Sequence, residues 1–245
     1  MANPITRPFR LARGYYRLVR DRLRRRSQED EFTRWLRYAN AGMLEPGNVW
    51  CMDFAIRNLP SADPMVEIGS FAGLSANVIC HLLRKHSRGN KFFTCDNWDV
   101  TGRQLQERIE GSEIGFPEYA RFVKDTYLRN VGFFSPQNRP FTIEAGSTEF
   151  FTRWSKNEEA TDVFGRTARL GGPISFCYVD GLHSCEAVRE EFRSIDRYLV
   201  PGGFILFDDS SDSGPFELKN LMPEIAALGT YEPVQQCPNY LFRKR

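Results

Sequence analysis

The segment Met65-Val-Glu-Ile-Gly-Ser-Phe-Ala-Gly-Leu-Ser75 restricts what this chain can fold into more than any other stretch of it. A short apolar run reads as a buried strand closing in Glu67-x-Gly69-x-x-x-Gly73, and the spacing of apolar residues beyond it predicts a helix over 74–85. Glycines in a strand-to-helix turn let backbone approach a ligand closely, and the first turn of the helix favours negative charge. Such an opening predicts an α/β sheet that binds its ligand at the carboxyl ends of its strands. The dinucleotide pattern GxGxxG is not matched, because the acid lies inside the strand and the glycines are four positions apart.

Later segments bring further carboxylates to the same edge. Lys91-Phe-Phe-Thr-Cys95 reads as a second strand ending at Asp96. An acid at that tip can accept hydrogen bonds from both hydroxyls of a ribose; the alternative is a plain strand-end turn at Asp96-Asn97. Ile174-Ser-Phe-Cys-Tyr-Val179 is an apolar strand running directly into Asp180-Gly-Leu-His183. A helix over 185–199, a turn at Val200-Pro-Gly-Gly203 and the strand Phe204-Ile-Leu-Phe207 lead to Asp208-Asp209. Three carboxylates at one edge would suit Mg²⁺ or another divalent cation, which takes hard oxygen ligands. The competing readings have Asp208-Asp209-Ser210 capping the next segment and His183 satisfying a loop carbonyl.

The order Glu-x-Gly-x-x-x-Gly, then Asp-Gly-x-His, Pro-Gly-Gly and Asp-Asp resembles the class I S-adenosylmethionine-dependent methyltransferases of the domain-24 type, which include sugar O-methyltransferases of macrolide biosynthesis. It is more distantly similar to the metal-dependent catechol O-methyltransferases, which share the start seen from Glu67 to Ser75. The resemblance spans about residues 63–210 and takes in Asp96-Asn-Trp-Asp99, similar to the family's Asp-x-Trp-Glu. It implies a Rossmann-like, doubly wound sheet of seven strands with an antiparallel last strand. S-adenosylmethionine is the cofactor it implies, with Gly69 and Gly73 making room for the methionine part. Glu67 would face the ammonium, Ser75 the carboxylate and Asp96 the ribose. Gly146 and Ser147, at the end of Ile143-Glu-Ala-Gly146-Ser147, would flank the adenine. Asp180, Asp208 and Asp209 would hold the metal, and His183 would act as general base on a hydroxyl of a small molecule or sugar. Cys185 departs from the aromatic usual in the family, which affects the wall of the site and so the acceptor. Two other readings stay open: an NAD-dependent oxidoreductase on the same kind of sheet, and a cofactor-binding pseudoenzyme.

The remainder divides into residues 1–26 as a basic arm, 27–62 as helices preceding the sheet, and 63–245 as the methyltransferase domain. Helices are expected over 32–41 and 49–59, separated by a break at Pro46-Gly47. Residues 100–139 form a long insertion with a helix near 118–131, expected to act as a lid or substrate wall. Residues 157–172 read as a polar surface connection, 216–228 as a weak helix, and 231–237 and 239–243 as closing strands joined by a tight turn at Pro238. Six scattered cysteines without metal-like spacing fit reduced thiols of a cytoplasmic protein. Of the other histidines, His81 is expected to be packed and His86 exposed. No apolar stretch approaches the roughly 20 residues needed to cross a bilayer, and the start lacks the apolar core of a secretory signal.

The net charge of +2 conceals an asymmetry: residues 1–26 hold nine arginines and one acid, a local +8. The arm is expected to be solvated or to pack on the domain or a second copy of the chain, the other readings being contact with an anionic membrane surface or with a polyanionic substrate. No recognition motif follows it, so nucleic acid is not the expected partner. Deleting residues 1–26 should therefore change oligomeric state or vesicle binding, read by light scattering and sedimentation with liposomes, more than it changes turnover. Loss of all turnover in a folded, cofactor-binding truncation would instead assign the arm to the active site.

Overall fold

Seven strands form one sheet, and its centre is built from the most apolar runs of the sequence. The computed structural model of the protein describes residues 30–99 and 106–245. In chain order the strands of this sheet are β1 (Met65–Ile68), β2 (Phe92–Asp96), β3 (Phe141–Glu144), β6 (Ile174–Val179), β7 (Leu199–Phe207), β8 (Tyr231–Gln236) and β9 (Tyr240–Lys244). A separate antiparallel hairpin pairs β4 (Glu159–Thr161) with β5 (Thr167–Arg169), inside the stretch expected to be a plain surface connection. The order across the large sheet is β3-β2-β1-β6-β7-β9-β8. The first five are parallel, and β9 is antiparallel to both of its neighbours. This is the Rossmann-like, doubly wound arrangement with an antiparallel last strand.

β1 and β6 are buried along their whole length, as parallel strands covered on both faces must be. Alternation sends Phe176 and Tyr178 to one face and Cys177 and Val179 to the other, where separate apolar clusters form. One face is covered by α1 (Glu31–Ala39), α2 (Pro46–Arg57), α3 (Leu74–Lys85) and α4 (Phe116–Phe134). The other is covered by α5 (Ser147–Ser155), α6 (Cys185–Asp196) and α7 (Leu221–Ala227), the last preceded by a 3₁₀ turn at Glu217–Asn220.

Several boundaries differ from the expected ones for identifiable reasons. Pro46 begins α2 instead of breaking a helix, since its missing N–H costs nothing in the first turn. Leu199 belongs to β7, so α6 stops at Asp196. In the stretch expected to be a lid, α4 buries Val123, Tyr127 and Val131 against the domain, and Asn130 donates to the Ala72 carbonyl at 2.8 Å. That leaves 106–115 and 135–139 as the described parts of the insertion outside this helix, with 100–105 outside the described residues. The basic arm likewise lies outside them. His81 and His86 each meet a carboxylate at 2.9 Å, on Asp30 and Asp53 respectively, so His86 is partly buried rather than exposed. All six cysteines are free thiols. Among the described residues no helix is long and apolar enough to cross a membrane.

α1 and the segment after it are fastened by a buried amide chain. Asn77 of α3 donates to Asn40 at 2.8 Å, Asn40 donates to the Ala72 carbonyl at 3.1 Å, and Ser135 donates to Asn77 at 2.7 Å. On the opposite face Trp154 anchors α5. Its ring is 1% exposed, meets Phe93 edge-on at 5.3 Å and donates from Nε1 to the Gly172 carbonyl at 2.9 Å. Trp154→Ala should therefore lower the free energy of unfolding by about 3–5 kcal/mol, measured by urea denaturation. A loss under about 1 kcal/mol would mean that this cluster does not carry the packing assigned to it.

Candidate functional site

The sheet order reverses between β1 and β6, and ligands of open α/β sheets bind beyond the carboxyl ends at such a point. Ile68 and Val179 are register partners, so Gly69 and Asp180 leave the sheet side by side. Gly69 has φ +81°, and a Cβ there would lie 1.9 Å from the Asp180 carbonyl oxygen. Gly73 has φ +86° at the start of α3, and a Cβ there would lie 2.9 Å from Val131 Cγ2. Both glycines are thus demanded by the protein's own packing. Above this crossing opens a cavity of about 1020 Å³.

The loop between β1 and α3 is pinned from β2. Asp96 Oδ2 accepts from the amides of Ser70 and Phe71 at 2.8 and 2.9 Å, and Oδ1 accepts from the Trp98 amide at 2.8 Å. The Trp98 indole donates back to the Phe71 carbonyl at 2.9 Å. The strand-end turn is therefore formed, and Asp96 also holds the glycine loop. A carboxylate has about four acceptor sites, so these three bonds leave capacity for a ligand hydroxyl. Phe71, Trp98 and Asp209 all adopt positive φ at this edge, a conformation rarely taken by side-chain-bearing residues.

Glu67 lies beneath the loop, fully buried, and its Oε1 has no hydrogen-bond partner. Burial raises its carboxyl from an ordinary 4.5 to about 8; Asp96 adds to the shift, and the Ser75 and Ser70 hydroxyls oppose it. Loss of hydration also pushes Asp180 well above the usual carboxylate range, and Asp208, Glu67 and Asp209 push the same way. Asp208 is buried and heavily solvated by protein: Oδ1 accepts from Asn48 and Asn239 at 2.6 and 2.5 Å, and Oδ2 accepts from the Tyr178 hydroxyl at 2.9 Å. The same hydroxyl lies 3.2 Å from Asp180 Oδ2. Asp209 turns the other way, with Oδ2 2.9 Å from His183 Nδ1. Desolvation and Asp208 raise the Asp209 carboxyl, and His183 opposes them. The His183 ring stacks on Phe216 at 4.7 Å.

Of the residues singled out from the sequence, Gly69, Ser75, Asp96, Gly146, Ser147, Asp180, His183, Asp208 and Asp209 line this one cavity. Glu67 and Gly73 stand behind its wall. The expected convergence of Asp180, Asp208 and Asp209 on one point is not formed: Asp208 is committed to two amides and a phenol, and Asp209 to His183. Among the described residues no group of three or more His, Cys, Asp or Glu is disposed to hold a metal ion. Sequence reasoning missed Asn48, Asn239, Tyr178, Phe216 and Glu191. Asn48 and Asn239 are 191 residues apart and carry no local signal; Tyr178 and Glu191 were legible only as polar groups in otherwise apolar patterns.

Residues 66–210 match a family model described as a methyltransferase domain. Among solved structures, the O-methyltransferase NovP aligns with a TM-score of 0.53 at 13% identity, covering 82% of this chain and 80% of that one. CalS11, described as a TDP-rhamnose 3'-O-methyltransferase of calicheamicin biosynthesis, aligns with a TM-score of 0.50 at 18% identity, covering 80% and 78%. An O-methyltransferase from Bacillus cereus in complex with SAH aligns with a TM-score of 0.53 at 14% identity, covering 88% and 91%. At such identities the likeness is one of fold. No curated protein matches the chain by sequence.

The raised Glu67 carboxyl has a consequence for stability. Between pH 4.5 and about 8 the folded chain keeps a proton there that the unfolded chain has lost. Stability from this group is thus fully present below pH 4.5 and is lost as pH rises through about 8. Glu67→Gln should flatten that decline, seen as a smaller difference in urea midpoint between pH 5 and pH 8.5 in the variant. Parallel pH profiles for both proteins would show that Glu67 is not held protonated.

Proposed function

The chain belongs to the methyltransferase-domain family, and on that footing we propose that it is an O-methyltransferase in which His183, held by Asp209, takes the proton from an acceptor hydroxyl. Its cofactor is S-adenosylmethionine, and the proposed acceptor is a small molecule or sugar. The observation that carries this reading is the His183–Asp209 pair at 2.9 Å on the wall of the cavity that the glycine loop also lines. With Nδ1 engaged by the carboxylate and the ring stacked on Phe216, Nε2 is the nitrogen placed to receive a proton. The O-methyl chemistry named for NovP and the Bacillus cereus enzyme, which share the fold, supports the choice of oxygen as acceptor.

The cofactor's methyl group is already activated by the sulfonium, so the residues' task is chiefly in-line positioning. When bound, the cofactor would supply the methyl group to the acceptor oxygen, its sulfur being left as a neutral thioether, and His183 would take the acceptor proton. Asp209 keeps the imidazole oriented and offsets the charge it gains. On the cofactor side, Asp96 is proposed to meet the ribose, Ser75 the carboxylate, and Gly146 with Ser147 the adenine. The unpartnered Glu67 Oε1 is proposed to face the ammonium; a cation there would relieve the cost of its burial.

A divalent cation at the same edge is a second reading, favoured by the Asp180 carboxyl, which burial and three neighbouring acids raise well above the usual range. Asp180 with Asp208 or Asp209 would hold it, and when bound it would lower the pKa of the acceptor hydroxyl. The hard-oxygen donor set fits such an ion, although Asp208's present partners would have to yield.

Release of S-adenosylhomocysteine, followed with a panel of hydroxylated acceptors, tests the proposal. His183→Ala should lower turnover by roughly 10²–10⁴-fold with cofactor affinity unchanged, and Asp209→Asn should lower it less. Full activity in His183→Ala would remove the general-base role. Loss of turnover in EDTA with recovery in Mg²⁺ or Mn²⁺ would establish the cation, whereas undiminished turnover in chelator would leave the His183–Asp209 pair to act without it.

A further inference from the structure

We infer that Glu191 recognises the 6-amino group of the cofactor's adenine. Glu191 sits on the inward stripe of α6 with Val188, Phe192 and Ile195, where an apolar residue is the ordinary choice. It is 5% exposed, and its Oε2 has no hydrogen-bond partner. A buried carboxyl oxygen without a partner is costly, so its retention inside an apolar stripe calls for a group to bind. Space has been made for it: a Cβ on Gly181 would come within 2.9 Å of Glu191 Oε1. The side chain lines the cavity, close to Cys95 on β2 and to Ser147 at the start of α5.

The inference rests on the cofactor orientation proposed above. With the amino-acid end at Glu67 and Ser75 and the ribose at Asp96, the base must extend toward the remaining wall, which Gly146, Ser147 and Glu191 build. Adenine presents there an uncharged two-proton donor next to ring-nitrogen acceptors. A carboxyl accepts from that amine in either protonation state, and when protonated it can also donate to the adjacent ring nitrogen. Burial raises the Glu191 carboxyl to about 7, against the pull of the Ser147 hydroxyl, so the protonated form is accessible near neutrality. The thiols of Cys95 on β2 and Cys177 on β6 both feel Glu191, and burial holds each of them protonated.

The experiment is calorimetry of the full chain with S-adenosylhomocysteine and with its analogue carrying purine in place of adenine, which lacks only the 6-amino group. Removing that group should weaken binding to the wild type by about tenfold. Glu191→Gln, which keeps an acceptor and a donor, should show a similar penalty; Glu191→Leu should show less than about a twofold penalty while binding both ligands more weakly. The inference is overturned if the wild type binds the two ligands equally, or if Glu191→Leu suffers the full penalty. The wild-type comparison decides even if the leucine variant does not fold. Failure of the wild type to bind either ligand would instead overturn the cofactor reading, and this inference with it.

Discussion

The contact between Gly69 and the Asp180 carbonyl is the constraint on which the site depends. β1 and β6 must lie in register at the centre of the sheet, and their chains must diverge immediately beyond it to leave a cleft. A side chain at position 69 would occupy the same space as that carbonyl oxygen, 1.9 Å from its Cβ. Glycine's absence of a Cβ and its tolerance of φ +81° therefore allow the strands to stay paired to Ile68 and Val179. The Asp96 carboxylate then fixes the loop that follows, through the amides of Ser70 and Phe71. Two strands and one loop are locked by backbone contacts, which leaves the side chains of Asp180, His183 and Ser75 free to face the cavity.

Around this frame the protein gathers buried acids and partners only some of them. Asp208 is satisfied by Asn48, Asn239 and Tyr178, and Asp209 by His183. Glu67 and Glu191 each retain an oxygen with no partner. Unpaired acids in an apolar surround destabilise the empty protein, and a bound group that supplies positive charge or N–H donors gains what hydration no longer provides. A cofactor that brings an ammonium, a sulfonium and an amino-bearing base is complementary to that distribution.

The family features were legible because they are local. Glu67, Gly69, Gly73, Asp96, Asp180 and Asp208-Asp209 each stand inside or just beyond a recognisable apolar strand. The seven-stranded order and its antiparallel last strand followed from the resemblance, since the short closing strands carry little signal of their own. The N-terminal helices were foreseen with shifted ends: Pro46 reads as a breaker in isolation but is a favourable first helical residue.

What the sequence by itself determined is the chain of strands, turns and acids that brings nine chosen residues to one cavity. Strand period and glycine chemistry act over a few residues, so they can be read without a structure. Only the tertiary structure decided how those acids are partnered. Asn48 from α2 and Asn239 from the β8–β9 turn reach Asp208 from positions 160 and 31 residues away, and they turn it from a free ligand into a solvated one. The direction taken by Asp209 toward His183, and the depth at which Glu191 is buried, depend likewise on packing between distant elements. Hydrogen bonding and desolvation at this site are properties of the assembled interior, where dielectric and donor positions are set by the whole fold.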